Sequence, residues 1–268
     1  MTSIITPLTA DAAGLASLLP EIEAVIRRAG LRIMEIYRSD FAVSRKGDAS
    51  PVTEADIAAE EMITPVLRRL LPDVPVVGEE AVSGGRVPVV GESPFWLVDP
   101  VDGTREFLKR NGEFTVNIAL VAEHRPVLGA VLAPAQDVLY TGITGAGAWR
   151  QQGEEPATPL QVRPVPDRDV TLVASRSHGS GQAVTQLPDG RSVGQILHSG
   201  SSLKFCMIAE GRADVYLRPG PTCEWDTAAA QAVLEAAGGR VTLEDGQTPL
   251  RYAKRADFLN PGFIAWGG

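Results

Sequence analysis

The chain has 268 residues, 44% of them hydrophobic, and a formal charge of −8. That length can bury a substantial core without staples, and the acidic balance excludes a nucleic-acid polymer as partner, because such binding needs a basic face. No apolar stretch reaches the roughly 18 to 20 residues of a membrane helix, so membrane insertion is not expected.

Residues Met1 to Asp11 hold no basic residue and no apolar block, so no signal peptide is expected. The first helical pattern runs from about Leu15 to Tyr37: Leu15, Leu18, Leu19, Ile22, Val25, Ile26, Ala29, Ile33 and Ile36 recur at helical spacing. Pro20 is expected in a first turn or at the true start of this helix. A second helix is predicted to begin at Thr53, where Thr53 and Asp56 form the Thr-x-x-Asp pattern of a capping box ahead of Ile57, Met62, Ile63, Val66, Leu67 and Leu70.

Strands are predicted at Val74–Gly78, Phe95–Val98, Thr115–Ala122, Val127–Ala133 and Val138–Gly142. The glycines of Gly142–Gly147 lack a following Lys-Ser or Lys-Thr and open no helix, so they read as a hairpin turn rather than a phosphate loop. Beyond them, strands near Val170–Ala174, Gln195–Leu197, Asp214–Leu217 and Gly262–Trp266 alternate with helices near Ser202–Glu210 and Asp226–Ala237. Gly238-Gly239 is a stop signal for the second of these helices. The two patterns suggest two layered halves, residues 1–160 and 161–268, divided in the proline-rich stretch between Gln151 and Asp169. Cys206 and Cys223, the only cysteines, lack metal-ligand spacing and read as reduced thiols of a cytoplasmic protein.

The chemistry concentrates at acidic termini. In Trp96-Leu-Val-Asp99-Pro-Val-Asp102-Gly103-Thr104, an apolar strand ends in Asp99. Pro100 keeps Asp99 extended, and Gly103 accepts the backbone angles that turn the chain. Two carboxylates across such a turn can converge, with the Val101 carbonyl between them. Thr104 opens a short helical turn through Leu108, which makes the Gly103 and Thr104 amides an anion-binding start. Val76-Val77-Gly78-Glu79-Glu80 ends a second strand in carboxylates, and Asp226 of Trp225-Asp226-Thr-Ala stands where the last long helix begins. Taken singly these are a turn, a solvated strand end and a helix cap. Gathered on one sheet edge, they would repel one another unless divalent cations lay between them. Oxygen-only donors favour magnesium or manganese over zinc.

These motifs resemble the signature of the inositol monophosphatase superfamily of lithium-sensitive phosphatases, along nearly the whole chain. Within it, Phe107–Ile118, Ser175-Arg-Ser-His178, Gly200-Ser-Ser-Leu-Lys204-Phe and Phe258-Leu-Asn-Pro-Gly262 are similar to the CysQ-type 3'(2'),5'-bisphosphate nucleotidases. The resemblance implies an α+β, layered α-β-α-β-α sugar-phosphatase fold and three Mg2+ sites, in which Mn2+ could substitute. It implies that Glu79, Asp99 and the Val101 carbonyl hold the first metal, and that Asp99, Asp102 and Asp226 hold the second. Glu79 would also face a third, weaker site, while Thr104, Glu79 and Asp56 would orient the attacking water. Ala230 stands where the family usually has glycine, which removes no ligand.

On the substrate side the resemblance points to Gly103, Thr104, Ser201 and Asp226, with Lys204, His178 and Arg218 at the nucleotide end. Lys204 offers a compact charge for a second phosphate where inositol monophosphatases have a small or apolar residue. The expected substrate is a small phosphorylated nucleotide, adenosine 3',5'-bisphosphate or its 3'-phosphosulfate form, with the protein a monomer or homodimer. Inositol or fructose phosphate hydrolysis on the same fold, or metal and phosphate binding without turnover, are the alternatives.

Overall fold

A computed structural model of the chain describes residues 11–41, 43–45, 51–176 and 185–268. The first helix, α1 (Ala12–Tyr37), is capped by Asp11, whose Oδ1 accepts the Gly14 N–H at 2.7 Å. Pro20 does not mark its start but lies inside it. The proline deprives only the Ala16 carbonyl of its partner, and both residues are exposed, so water can satisfy that oxygen while Leu15 and Leu18 hold the preceding turn in the core. A short pair of antiparallel strands follows, β1 (Val43–Arg45) and β2 (Pro51–Thr53). Then comes α2 (Glu54–Leu70), which begins with the expected capping box.

Strand β3 (Val76–Gly78) runs straight into a single helical turn, α3 (Glu79–Ser83). It is followed by β4 (Phe95–Asp102), α4 (Thr104–Leu108), β5 (Thr115–Ala122), β6 (Arg125–Ala133), β7 (Val138–Ile143), β8 (Gly147–Gln152) and β9 (Thr158–Pro159). These seven strands form one sheet in chain order, antiparallel except for the parallel pair β3 and β4. The glycines after Gly142 close the β7–β8 hairpin, as expected. β10 (Val170–Ser175), β11 (Val193–Ser199), α5 (Leu203–Ala209), β12 (Val215–Arg218), β13 (Thr222–Cys223), α6 (Ala228–Ala236), β14 (Arg240–Leu243), β15 (Leu259–Asn260) and β16 (Phe263–Trp266) complete the chain. The second main sheet has five strands in the order β11-β10-β12-β16-β14, and β13 pairs with β15 separately.

The apolar runs of the seven-stranded sheet are continuous because both of its faces are buried. Trp96, Val98, Val116, Ile118, Leu120, Leu128, Ala130 and Leu132 share a core with α1 and α2. The alternate residues Phe95, Leu97, Ala119, Val121, Val131 and Ala133 pack with α5, α6 and the five-stranded sheet. The described residues thus supply α-β-α-β layers; the outermost helical layer of the expected order is not among them. Helix α6 sits directly on the sheet because Gly129 and Gly142 carry no side chains there: a Cβ at Gly129 would lie 2.1 Å from the Ala229 oxygen, and one at Gly142 2.5 Å from Val233 Cα. Its end is the expected glycine stop, with the Gly239 N–H donating to Leu234 O at 3.0 Å and the Gly238 N–H to Glu235 O at 3.1 Å. No helix among the described residues is long and apolar enough to cross a membrane. Neither cysteine is in a disulfide; Cys206 lies in the core and Cys223 is partly covered.

Candidate active site

Asp99 and Asp102 lie at the end of β4, where its register against β5 slips between the two residues. Pro100 and Val101 take up the slip, as a bulge re-aims side chains. Val101 N–H donates back to Asp99 Oδ1 at 3.1 Å, and Thr104 Oγ1 donates to the Val101 carbonyl at 3.4 Å. Gly103 adopts a left-handed φ of 91°, which a side chain would disfavour, and turns the chain into α4. The parallel neighbour β3 delivers Glu79 as the first residue of α3.

Asp226 arrives from the other half of the chain, and its local structure departs from expectation. It does not cap the last helix but ends a 3-10 turn, Glu224–Asp226, and its Oδ2 accepts the Cys223 N–H at 2.9 Å. Thr227 holds the cap position of α6 instead.

One cleft of about 280 Å³ is lined by Glu79, Asp99, Val101, Asp102, Gly103, Thr104, Ser201, Lys204, Arg218 and Asp226. Its wall also includes Ser175, from the quoted Ser175-Arg-Ser-His178 motif, and Arg105, Glu106, Tyr216 and Thr222, which the sequence motifs had not singled out. Glu106 could have been suspected from its place one turn after Asp102-Gly103; Tyr216 and Thr222 carry no local signal. Asp56 is not part of this lining. It is fully buried in the capping box, where its Oδ2 accepts Thr53 N–H at 2.8 Å and Thr53 Oγ1 at 2.6 Å. His178 lies outside the described residues.

Burial first, then repulsion from Glu79, Asp102 and Asp226, pushes the Asp99 carboxyl well above its usual range. Asp226 is raised in the same way, by burial and then by Asp102 and Glu79. Asp102 is raised by burial but opposed by the nearby Lys204 charge and by Ser201 Oγ and Ser202 N–H, both donating to its Oδ2 at 2.6 Å.

Among the described residues no finished group of three ligands is drawn together, and Asp102 and Asp226 each spend an oxygen on backbone donors. The donor set nonetheless suits divalent cations. It is all hard oxygen, and burial with mutual repulsion raises the proton affinity of Asp99, Asp102 and Asp226 in a way that positive charge between them would reverse.

Lys204, in the first turn of α5, is 5% exposed. Its Nζ donates to the Ser201 carbonyl and stands 5.1 Å from the centre of the Tyr216 ring. Burial lowers its pKa to about 8, with Asp102 opposing the shift and Arg218 adding to it. Arg218 donates to Pro221 O at 3.3 Å, and its buried Nε meets no acceptor.

Comparison with known proteins shows what the chain as a whole is similar to. The model of the inositol monophosphatase family matches residues 15–265. The 3'(2'),5'-bisphosphate nucleotidase CysQ of Escherichia coli K12 is 46% identical over 250 residues, 92% of this chain and 98% of the relative. The protein of the same name from Buchnera aphidicola is 40% identical over 92% of this chain and 93% of its own. The crystal structure of CysQ from Bacteroides thetaiotaomicron superposes with a TM-score of 0.73 at 36% identity, covering 94% of this chain and 97% of that one. The chain belongs to the inositol monophosphatase family.

Proposed function

We propose that this chain is a magnesium-dependent 3'(2'),5'-bisphosphate nucleotidase that hydrolyses the 3'-phosphate of adenosine 3',5'-bisphosphate to AMP and phosphate, and also accepts the 3'-phosphosulfate form. A cytoplasmic location is part of this reading. The observation that carries it is a cleft that gathers the carboxylates of Glu79, Asp99, Asp102 and Asp226 and has Lys204 and Arg218 on its wall. The names of its relatives support the same substrate class.

In this reading Glu79, Asp99, the Val101 carbonyl, Asp102 and Asp226 hold the magnesium ions, three in all. The ions supply positive charge to the phosphoryl oxygens and lower the pKa of water. Thr104, whose hydroxyl is directed to the Val101 carbonyl, and Glu79 align the attacking water, and Glu79 takes its proton at the carboxylate. Asp56 assists from its buried place in the helix cap. Gly103, Thr104, Ser201 and Asp226 orient the cleaved phosphate and its sugar. Lys204 and Arg218, with His178, bind the phosphate that stays. The buried, unpaired Arg218 Nε is a donor suited to an anionic oxygen.

A phosphate-release panel tests the assignment: adenosine 3',5'-bisphosphate, inositol 1-phosphate and fructose 1,6-bisphosphate, each with magnesium and with chelator. Release from the nucleotide in magnesium should exceed that from the other two. Preference for inositol or fructose phosphate, or release that survives chelation, would overturn it.

A further inference from the structure

Glu79 enters the cleft on a turn that has no cap of its own. Gly78 precedes α3 and offers no side chain, while the leading amides of any helical turn need acceptors. The acceptor comes from another helix. Glu60, on α2, takes the Glu80 N–H at Oε2 and the Ala81 N–H at Oε1, both at 2.8 Å. The side chain is 7% exposed and lies outside the cleft. Gly78 makes room for it: a Cβ there would stand 2.4 Å from Glu60 Cδ. Glu60 also lies one helical turn after Asp56, on the same buried face of α2, so the capping box at Thr53 fixes the rod from which it reaches.

We infer that Glu60 is a positioning residue for Glu79: it caps α3 from α2 and thereby sets the angle at which the Glu79 carboxylate is offered to a divalent cation. Glu60 touches neither substrate nor ion. Its bidentate grip on two consecutive amides fixes the backbone directly after Glu79, and the glycine contact leaves the grip one geometry. The inference rests on the reading of Glu79 as a cation ligand.

The test is Mn2+ binding to metal-free protein, followed by loss of the free-ion EPR signal, with the Mg2+ requirement for phosphate release measured beside it. Glu60→Gln keeps the shape but turns an amide donor toward a backbone N–H. Gly78→Ala displaces the Glu60 carboxylate without altering it. Orienting partners behind metal ligands are typically worth about 10- to 100-fold in metal affinity, so both variants should weaken Mn2+ binding by that factor and raise the Mg2+ requirement in step. Ile63→Val, a cavity substitution on the same helix, should lower thermal stability and leave Mn2+ affinity unchanged. If Glu60→Gln does not fold, Gly78→Ala carries the test. Weakened binding in Glu79→Gln with wild-type affinity in Glu60→Gln and Gly78→Ala would overturn the inference alone. So would losses no greater than those of Ile63→Val. Wild-type affinity in Glu79→Gln would overturn the reading of Glu79 and the inference with it.

Discussion

Lys204 is an ammonium held almost out of water, and a solvated surface role is excluded by its burial. Its bond to the Ser201 carbonyl steadies the backbone that carries the Asp102 donors Ser201 and Ser202. Binding the uncleaved phosphate and bracing this loop are separable. A charge-assisted hydrogen bond contributes roughly 1.5 to 3 kcal/mol, so Lys204→Ala should lower kcat/KM for adenosine 3',5'-bisphosphate by about 10- to 150-fold. For 2'-AMP, with one phosphate, the change should stay within about threefold on the same arithmetic. Equal losses on both substrates, in a steady-state comparison, would assign Lys204 to the loop instead. Asp102→Asn makes a second test. An amide can still accept the Ser201 and Ser202 bonds, so the fold should survive, while magnesium-dependent turnover should fall by far more than tenfold. A retained tenth of wild-type rate would correspond to only ~1.4 kcal/mol of barrier and would remove Asp102 from the cation site.

The second helix joins fold and site. Thr53 Oγ1 accepts the Ala55 N–H at 3.2 Å, and Asp56 completes the box. Thr53→Ala should therefore cost about 0.5 to 2 kcal/mol in urea denaturation with kcat little changed. Asp56→Asn should cost a similar amount and in addition slow turnover; a loss of stability without a loss of rate would leave Asp56 a cap only. The last helix, α6, follows directly on the Asp226 turn and depends on two bare strand positions. Gly129→Ala drives a methyl into the backbone of α6, and overpacking of that kind costs about 1 to 3 kcal/mol. Calorimetric unfolding should show the drop. An unchanged midpoint would mean that α6 can shift freely, which its tight seat on β6 and β7 argues against.

Across the molecule, the carboxylates of Glu79, Asp99, Asp102 and Asp226 oppose one another, and this opposition is a cost to the folded state that bound cations would relieve. Ligand that binds only the folded protein stabilises it by mass action, by about 2.7 kcal/mol at a hundredfold excess over Kd. Magnesium should accordingly raise the unfolding midpoint of chelator-treated protein, and Asp102→Asn should blunt the rise. A midpoint indifferent to magnesium in scanning calorimetry would argue that the carboxylates close on no ion. The two halves of the chain answer together, because α5 and α6 pack between both sheets in one continuous core.

How much of this was legible in the residue order depends on range. The periodicity of α1, the two-faced apolar strands, the Thr53 box, the Gly238-Gly239 stop and the Asp99–Asp102 turn are all local, and local sterics and hydrogen bonding dictate them wherever the segment lies. The family motifs likewise named Glu79, Asp99, Asp102, Thr104, Lys204 and Asp226, which the structure brings to one cleft, because motif residues are read by type and spacing. Other features needed the assembled sheets. Pro20 reads as a first-turn or starting residue until the structure shows the helix beginning at Ala12, with Leu15 and Leu18 buried before the proline. Asp226 reads as a helix cap until the 3-10 turn gives its oxygen to Cys223. The short strands β9, β13 and β15 have no pattern of their own and exist only as partners of other strands. Ser202 meets Asp102 across a hundred residues of chain, and Glu60 meets α3 from the neighbouring helix. Sequence determined which side chains could do the chemistry; strand register and helix seating decided which oxygen faces which donor, since those distances are set by packing between segments that the chain order leaves far apart.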